Sequence, residues 1–527
     1  MKATDLLVQC LENEGVEYVF GIMGKETLDL MDSLSKSKSI QFIPVRHEQG
    51  AAFMADVYAR LTNKVGVCLA TLGPGATNLL TGISSANLDH SPVVAITGQA
   101  GLDRQHRESH QYVDLVKIFE PATKWSVQVK DSQTIPKIIR QAFRLAQMEK
   151  PGAVFIELPE NIAPQMATTQ PLPVVPIPKS IPISQIIEDA CTLIGGSQRP
   201  LVLLGNGVIR QKAASEILTF VENLQSPVIH SFMAKGVLPK NHPLNYFTFG
   251  FKKKDEVLPV IEQSDLIIAI GFDPVESLPK NWNKGMKPLL HIDTLPAEMD
   301  EHYPVKGELV GDLKEIVQVL NERDIPSKPW VPMGNVKERI ISAYQIDLDV
   351  KENQSLTIEN ILTVMEKHAN EQTIVISDVG AHKFSIARTY QSKQAGRLII
   401  SNGFSSMGIA LPGSIGAKLA CQTDSVICIT GDGGALMNIS ELETAKRLHL
   451  SFIIIVLNDS TLKLEEQMMQ EKFGENFGTN FGNPDFVQLA ESFGIKGVRP
   501  QQLNEFEQAL QTALKQTNEI TLIDIQI

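Results

Sequence analysis

The stretch VICITGDGGALMNISELETAKRLHLSFIIIVLNDSTLKL, Val426 to Leu464, contains two apolar runs that each end in a short acidic site. The first run ends at Gly431-Asp432-Gly433-Gly434 and the second at Asn458-Asp459-Ser460-Thr461. Between them, apolar residues recur at the three- and four-residue spacing typical of a helix. A strand, a helix and a strand in this order predict a parallel pair, whose carboxyl ends meet at one edge of a sheet. We therefore expect Asp432 and Asp459 to lie close together.

The glycine turn after the first run predicts an anion site. Gly431, Gly433 and Gly434 leave backbone exposed where a helix begins, and free N–H groups at that point bind phosphate. Asp432 would repel a phosphate unless a cation lay between them, and Mg²⁺ takes carboxylate, carbonyl and phosphate oxygens together. The sequence has no G-x-x-x-x-G-K-[ST], so it is not a P-loop. The alternative is an ordinary turn, because glycine and Asn-Asp-Ser clusters also form turns without a ligand.

Apolar runs of strand length alternate with helical patterns along most of the 527 residues. Examples are VGVCLATLG, VVAITGQ, AVFIELP, PLVLLGNG, LIIAIGFD, LLHID, IVISDVG and LIDIQI. Continuous apolar strands between helices predict parallel sheets covered on both faces. Proline-rich segments at 164–182 and 326–335 divide the series. We therefore predict an α/β protein with three doubly wound parallel-sheet domains, at 1–165, 183–325 and 340–527.

Composition excludes several classes of protein. The net charge of −12 argues against nucleic-acid binding, and Lys252-Lys253-Lys254 is expected to be a solvated turn. The five cysteines form no C-x-x-C pair, which favours reduced thiols and a cytoplasmic protein over a disulfide framework or a zinc site. Acidic residues near the start argue against a signal peptide, and no apolar run is long enough to predict a membrane span.

Further motifs extend over nearly the whole chain. They include RHEQGAAFMADVYARLT, LATLGPGATNLLTG, SHQYVDLVKIFEPATKW, AKGVLP, DVGAHKF and SNGFSSMGIALPGSIGA. Together with GDGGALMNISELETAKRL and NDS, they resemble the thiamine-diphosphate-dependent enzymes, particularly the catabolic type of acetolactate synthase. The resemblance implies that 1–165 is a pyrimidine-binding domain, 183–325 a central nucleotide-fold-like domain and 340–527 a diphosphate-binding domain. It also implies a homodimer or homotetramer with active sites between chains.

The resemblance assigns roles to individual residues. Asp432, Asp459 and the main-chain carbonyl of Thr461 would hold Mg²⁺, and Glu48 would be the carboxylate that activates the pyrimidine ring of thiamine diphosphate. His110 and Gln111 would face the substrate, a small 2-keto acid. The remaining cofactor-binding residues would be Pro74, Gly75, Asn78, Val379, Ala381, His382, Met407, Gly431, Gly433 and Gly434. Without the resemblance, Glu48 would read as a helix-start acid near a positive dipole end.

The middle segment contains PLVLLGNGV and LLHID, which are typical of a nucleotide fold. It lacks G-x-G-x-x-G, and catabolic acetolactate synthases need no flavin, so FAD is not expected. Gly205, Gly207 and Asp293 are instead expected to be turn and strand-end residues.

Two features depart from the acetolactate synthase pattern. Glu465 stands where these enzymes usually have an apolar residue, and pyruvate-decarboxylase-type relatives carry a Glu at this spacing from the second metal ligand. Glu465 would be a catalytic carboxylate or part of an exposed helix face. The sequence also ends at LIDIQI, where acetolactate synthases often continue with a tail that covers the active site. Its absence would leave a more open pocket for a larger acceptor.

The favoured function is a decarboxylating carboligase that converts pyruvate to acetolactate or a related acyloin acid. The first alternative is a non-condensing 2-keto-acid decarboxylase or a carboligase for a larger substrate, which Glu465 motivates. The second alternative is a non-catalytic homologue, against which the presence of Glu48, Asp432 and Asp459 argues.

Overall fold

A computed structural model describes residues 1–251, 254–346 and 354–527. Within these ranges the strands form three sheets, each six-stranded and parallel throughout. The predicted α/β fold class is therefore confirmed, because each of the quoted apolar runs contains a strand. Lys252 and Lys253 of the expected lysine turn lie outside the described residues.

The first sheet has the strand order β2-β1-β3-β4-β6-β5. β3, β4 and β6 are buried at every position, which explains why their sequences are continuously apolar rather than alternating. Its strands are β1 Tyr18–Gly21, β2 Gln41–Pro44, β3 Gly66–Ala70, β4 Val93–Gln99, β5 Trp125–Gln128 and β6 Ala153–Pro159. Its helices are α1 Ala3–Asn13, α2 Leu28–Ser35, α3 Glu48–Thr62, α4 Pro74–Leu88, α5 Leu115–Phe119 and α6 Ile135–Gln147.

The middle sheet has the strand order β12-β11-β10-β7-β8-β9. Its strands are β7 Pro200–Leu204, β8 Val228–His230, β9 Asn245–Thr248, β10 Leu266–Ile270, β11 Leu289–Asp293 and β12 Val305–Val310. Its helices are α7 Ser184–Gly196, α8 Gly207–Arg210, α9 Ala214–Leu224, α10 Leu258–Gln263, α11 Pro279–Trp282 and α12 Leu313–Asn321. Asp293 ends β11 and Gly205 lies in the turn after β7, as expected, whereas Gly207 is the first residue of α8.

The third sheet has the strand order β14-β13-β15-β16-β18-β17. Its strands are β13 Ile374–Ser377, β14 Leu398–Ile400, β15 Val426–Gly431, β16 Ile453–Asn458, β17 Lys496–Val498 and β18 Thr521–Gln526. Its helices are α14 Ile358–His368, α15 Ala381–Thr389, α16 Ala410–Ala420, α17 Asp432–Met437, α18 Glu441–Arg447, α19 Lys463–Phe473, α20 Phe486–Ser492 and α21 Leu503–Leu514. A further helix, α13 Val336–Ala343, precedes this group.

The connecting segments carry little regular structure. Residues 167–183 and 324–332 are in neither helix nor strand. The domain boundaries at 165, 183, 325 and 340 stay predictions. The last of them falls inside α13. No helix in the described ranges is both long and apolar enough to cross a bilayer.

The first and third domains of one chain pack directly through α3 and α16. Two glycines of α16 make this close approach possible. A Cβ on Gly416 would lie 2.3 Å from the carbonyl oxygen of Met54, and one on Gly413 would lie 2.9 Å from Val57 Cγ2. Larger residues at either position would therefore push the helices apart.

Candidate active site

The third sheet reverses its strand order between β13 and β15, and a crevice opens beyond their carboxyl ends. Residues 378–382 follow β13, and the Gly431–Gly434 turn follows β15. Helix α17 begins at Asp432 itself, so the turn is shorter than the sequence suggests. The single helix predicted between the two acidic sites is in fact two helices, α17 and α18. The helix is interrupted at Asn438. This residue is buried, and its Nδ2 donates a hydrogen bond to the carbonyl oxygen of Gly408 at 2.8 Å.

Parallel pairing of β15 with β16 places Gly431 opposite Leu457, so Asp459 follows at the same edge as Asp432. Asp432 is almost fully buried, and its Oδ2 accepts hydrogen bonds from the N–H of Ser460 and from Asn483 Nδ2, both at 2.7 Å. Burial, and then the negative charge of Asp432, raise the pKa of the Asp459 carboxyl. The two carboxylates predicted to converge are thus neighbours.

Asn483 is a site residue that the sequence analysis missed. Its Nδ2 also contacts Asn458 Oδ1 at 2.8 Å and Ser460 Oγ at 3.2 Å, while its Oδ1 is buried without a hydrogen-bond partner among the described residues. It lies in a loop well beyond Asp459 in the sequence, so no local pattern around the two acidic sites could indicate it.

Asp378 is a second missed residue, and it organises the floor of the crevice. Its buried carboxylate accepts from the N–H of Gly408 at 2.8 Å and from Thr430 Oγ1 at 2.9 Å. Gly408, which directly follows Met407, has φ +88°, a left-handed value that favours glycine. A Cβ on Gly434 would lie 2.9 Å from Asp378 Oδ2, which explains why glycine stands there.

His382 lies in the first turn of α15 and is buried beside Gly431. Burial lowers its pKa to about 4, so the imidazole is neutral near pH 7. Its Nε2 has no hydrogen-bond partner among the described residues. A buried polar atom without a partner costs free energy, so this nitrogen is free to bind a ligand in the crevice.

A cavity of about 170 Å³ occupies the crevice. Its described lining comes only from the third domain and includes Val379, Gly380, Ala381, His382, Ser405, Met407, Gly431, Asp432, Gly433, Gly434, Asp459, Thr461, Leu462, Leu464, Glu465 and Ile527. A Cβ on Gly433 would lie 3.4 Å from Met407 Cε and from Phe481 Cζ, so a side chain there would intrude on the cavity. The structure thus brings together the predicted diphosphate and metal residues, from Val379 to Thr461.

The first domain holds the other predicted group, the Glu48 group, which consists of Glu48, Pro74, Gly75 and Asn78. The residues around the third-domain cavity form the Asp432 group. Glu48 begins α3, is only 8% exposed, and accepts a hydrogen bond from Asn78 Nδ2 at 3.0 Å. A Cβ on Gly75 would lie 3.3 Å from Glu48 Oε1, so Gly75 also borders the carboxylate. Pro74 and Gly75 form the first turn of α4, next to Gly73.

The 105–114 loop lies against the same turn. A Cβ on Gly73 would lie 2.6 Å from the carbonyl oxygen of Gln111, so the loop backbone borders the turn that contains Pro74. His110 and Gln111 are both exposed, and neither lines the cavity of the third domain in this chain. The predicted substrate residues therefore accompany the Glu48 group rather than the Asp432 group.

A third missed residue, Glu441, links the two domains. It is buried on α18, and its Oε1 accepts hydrogen bonds from the N–H groups of Arg46 and His47 at 3.0 Å each. These two positions come immediately before Glu48. Glu441 therefore fixes the backbone that carries the start of α3.

Comparison with known proteins identifies the family. Sequence models described as thiamine pyrophosphate enzyme match the chain over residues 1–118 (N-terminal TPP binding domain), 187–320 (central domain) and 378–525 (C-terminal TPP binding domain). The chain belongs to the thiamine pyrophosphate enzyme family. The matched segments contain both the Glu48 group and the Asp432 group.

Curated members of this family are similar over almost their full length. The acetolactate synthase of Bacillus subtilis is 32% identical, with 100% of this chain and 93% of the relative covered. The acetolactate synthase large subunit of Buchnera aphidicola is 33% identical, with 100% and 95% covered. The catabolic acetolactate synthase of Raoultella terrigena is 33% identical, with 97% and 92% covered. The predicted resemblance to the acetolactate synthase group is thus confirmed.

The third-domain crevice fits the diphosphate of thiamine pyrophosphate, which is the same molecule as thiamine diphosphate. The start of α15 offers backbone N–H donors to an anion, His382 Nε2 lies unpartnered beside it, and glycines at 431, 433 and 434 leave room for the anion. The described residues contain no cluster of three His, Cys, Asp or Glu side chains that could hold a metal. A cation here would rely on Asp432, Asp459, the Thr461 carbonyl and oxygens of the ligand.

The structure places Glu465 on an exposed helix face, and its catalytic role stays a prediction. It lies on α19, a helix with no buried residue, and its own side chain is exposed. It also lines the cavity beside Leu464. In a single chain of this thiamine pyrophosphate enzyme, the carboxylate therefore stands at the open side of the crevice.

Proposed function

We propose that this protein is a thiamine-diphosphate- and Mg²⁺-dependent 2-keto-acid carboligase that converts two pyruvate molecules to acetolactate and CO₂. The observation that carries the proposal is the meeting of Asp432 and Asp459 at the switch point of the third sheet, in a chain similar to acetolactate synthases along its length. When bound, thiamine diphosphate supplies the electron sink for decarboxylation.

The residues of this chain have separable tasks in that reaction. Asp432, Asp459 and the Thr461 carbonyl bind Mg²⁺, and the α15 start with His382 binds the diphosphate. Glu48 would be the carboxyl group that exchanges a proton with the bound cofactor, and its low exposure and the hydrogen bond from Asn78 Nδ2 hold it in one orientation. Met407, which lines the cavity, would support the cofactor, and His110 and Gln111 would contact the substrate.

The active site lies between chains of a homodimer, or of a homotetramer built from such dimers. In one chain no residue of the Glu48 group is among the described residues that line the third-domain cavity. Large apolar side chains on α17, on α19 and in the loop after α19 are also exposed, namely Met437, Met468, Phe473 and Phe477. A second chain that brought its Glu48 group to this cavity would cover them and exclude water.

The enzyme works without flavin. The edge of the middle sheet where a dinucleotide would bind is filled by the protein's own carboxylate, because Glu276 accepts hydrogen bonds from the N–H of Asn206 at 2.9 Å and from Ser231 Oγ. A Cβ on Gly205 would lie 2.8 Å from Glu276 Oε1. A pyrophosphate at the Gly205–Gly207 turn would therefore meet a carboxyl group instead of free N–H donors.

A cytoplasmic location completes the proposal. All five cysteines are free thiols, and burial raises the pKa of Cys68 and Cys428 in particular. Unpaired, unreactive cysteines suit a reducing compartment.

Incubation of the purified protein with pyruvate, thiamine diphosphate and Mg²⁺ tests this function. We expect CO₂ and acetolactate in equal amounts, and no turnover after Mg²⁺ is chelated. CO₂ release without a condensed product would refute carboligation from pyruvate, and failure to release CO₂ would refute pyruvate as donor.

Glu465 supports a second candidate, a non-condensing decarboxylase or a carboligase for a larger acceptor. The Glu465 carboxylate on the cavity wall disfavours binding of a second keto acid, because two carboxylates repel each other unless Glu465 is protonated or paired. We expect Glu465→Val to raise the proportion of acetolactate relative to aldehyde. Glu471→Val, a change further along the same helix and away from the cavity lining, serves as the control. An unchanged product ratio in Glu465→Val would remove the basis for this candidate.

A further inference from the structure

A second and larger cavity, of about 410 Å³, lies where the three domains meet. Its walls come from the end of α3 and the loop after α4, from α8 of the middle domain, from the proline-rich segment 174–177, and from Gly396 and Ile399 of the third domain. It shares no described lining residue with the cavity that contains Asp432. Its volume falls within the range of about 300–1,000 Å³ that is usual for small-molecule sites.

Three arginines line this junction cavity, and two of them are already neutralised. Arg60 pairs with Asp56 at 2.7 Å and with Asp89 at 2.9 Å, and Arg140 pairs with Glu14 at 2.5 Å. Each therefore has at least one carboxylate at a short distance, and Arg60, whose Nη1 has no hydrogen-bond partner among the described residues, has two.

Arg210 differs from the other two. Its side chain is only 10% exposed, and its one carboxylate partner within the described part of the chain, Glu149, lies 3.4 Å from Nη2. Glu149 is shared with Gln211 Nε2 and with Thr294 Oγ1. Arg210 Nε and Nη1 are buried without hydrogen-bond partners among the described residues. A guanidinium with unpaired N–H donors is costly to bury, and a planar two-oxygen anion matches its fork.

The wall beside Arg210 is apolar. Val174, Val175 and Ile177 of the proline-rich segment and Ile209 of α8 line the same cavity. Val174 and Val175 are 48% and 58% exposed, so a ligand that covered them would gain hydrophobic free energy. Inorganic phosphate could satisfy the arginine but would leave this wall open to water.

We propose that the junction cavity is a binding site for a small carboxylate with an apolar chain, in which Arg210 holds the carboxylate and residues 174–177 cover the chain. The site is separate from the catalytic crevice, and its occupant is not consumed there.

Calorimetric titration of the full-length protein, loaded with thiamine diphosphate and Mg²⁺, tests this with hexanoate as the probe. We expect saturable binding at one site per chain, with inorganic phosphate binding more weakly. Arg210→Met should weaken hexanoate binding by about tenfold or more, since a charge-assisted hydrogen-bonded contact is lost. Arg323→Met, which removes an arginine paired with Glu188 away from this cavity, should leave it unchanged.

Two further variants keep the test decisive if Arg210→Met folds poorly. Val175→Asp places a carboxylate at the exposed mouth and should weaken hexanoate binding, whereas the uncharged Val175→Asn should weaken it less. Glu48→Gln should bind hexanoate as the wild type does, which separates this site from the catalytic one. The proposal is overturned if hexanoate fails to bind the wild type, if Val175→Asp binds as tightly as Val175→Asn, or if Glu48→Gln abolishes binding.

Discussion

Replacement of Asn483 by alanine is the most informative perturbation of the metal site, because this residue holds Asp432 without itself being a proposed ligand. In the structure, Asn483 Nδ2 donates a hydrogen bond to Asp432 Oδ2 at 2.7 Å. Among the described residues, the N–H of Ser460 is the other donor to this oxygen. Without it, the carboxylate keeps the N–H of Ser460 but loses its only side-chain donor among the described residues. The Asp432 carboxylate would then be free to rotate away from the Mg²⁺ site that it is proposed to share with Asp459.

The expected magnitude follows from that single contact. A hydrogen bond to a charged group contributes about 1.5–3 kcal/mol. Since about 1.4 kcal/mol corresponds to a tenfold change in an equilibrium constant, Mg²⁺ binding should weaken by about one to two orders of magnitude. Loss of a residue that orients a metal ligand typically has an effect of this size. Asn483 is only partly buried, so the thermal unfolding midpoint should change little.

The assay is a Mg²⁺ titration of the protein at saturating thiamine diphosphate, followed by the change in intrinsic fluorescence and, separately, by CO₂ release from pyruvate. Asn480→Ala is the matched control, because Asn480 is exposed in the same loop and has no contact with Asp432. Wild-type Mg²⁺ affinity in Asn483→Ala would refute the reasoning, as would an equal loss in Asn480→Ala.

Two other predictions concern catalysis and pH. Glu48→Gln should keep thiamine diphosphate and Mg²⁺ bound while turnover of pyruvate falls by at least about a hundredfold, since proton transfer by a placed carboxyl contributes that much; turnover near the wild-type rate would contradict it. Burial raises the pKa of Glu276 from about 4.5 to about 7, so this carboxyl stabilises the fold below pH of about 4.5 and that stabilisation is lost as pH rises to about 7. Glu276→Gln should therefore flatten the decline in unfolding free energy over this window, measured by denaturant titration at several pH values. An exposed control, Glu301→Gln, should leave the decline as it is, and an equal flattening there would count against the assignment.

Local sequence was sufficient for the parts of the site that follow strands. The turn at Gly431–Gly434 and the pair Asp432 and Asp459 could be predicted because a parallel strand pair brings its carboxyl ends to one edge, whatever the rest of the fold does. The strands themselves could be predicted because burial on both faces requires continuous apolar runs. The boundary of the helix after the turn was wrong, since the break at Asn438 depends on a hydrogen bond to Gly408 in another loop.

The sequence by itself determined the three α/β units, the acidic strand ends and, through many ordered motifs, the family. Only the tertiary structure decided which distant residues complete the site: Glu441 and Asn483 reach it through folds of the chain that leave no local periodicity, whereas Asp378 directly follows β13 and its strand-end position could have indicated it. It also decided that Arg210 keeps two unpaired donors beside one carboxylate at 3.4 Å, whereas Arg60 keeps one unpaired donor and has two carboxylates at closer range. The physical reason is that strand and helix patterns depend on residues a few positions apart, whereas the pairing of a buried charge depends on whatever side chains three-dimensional packing places beside it.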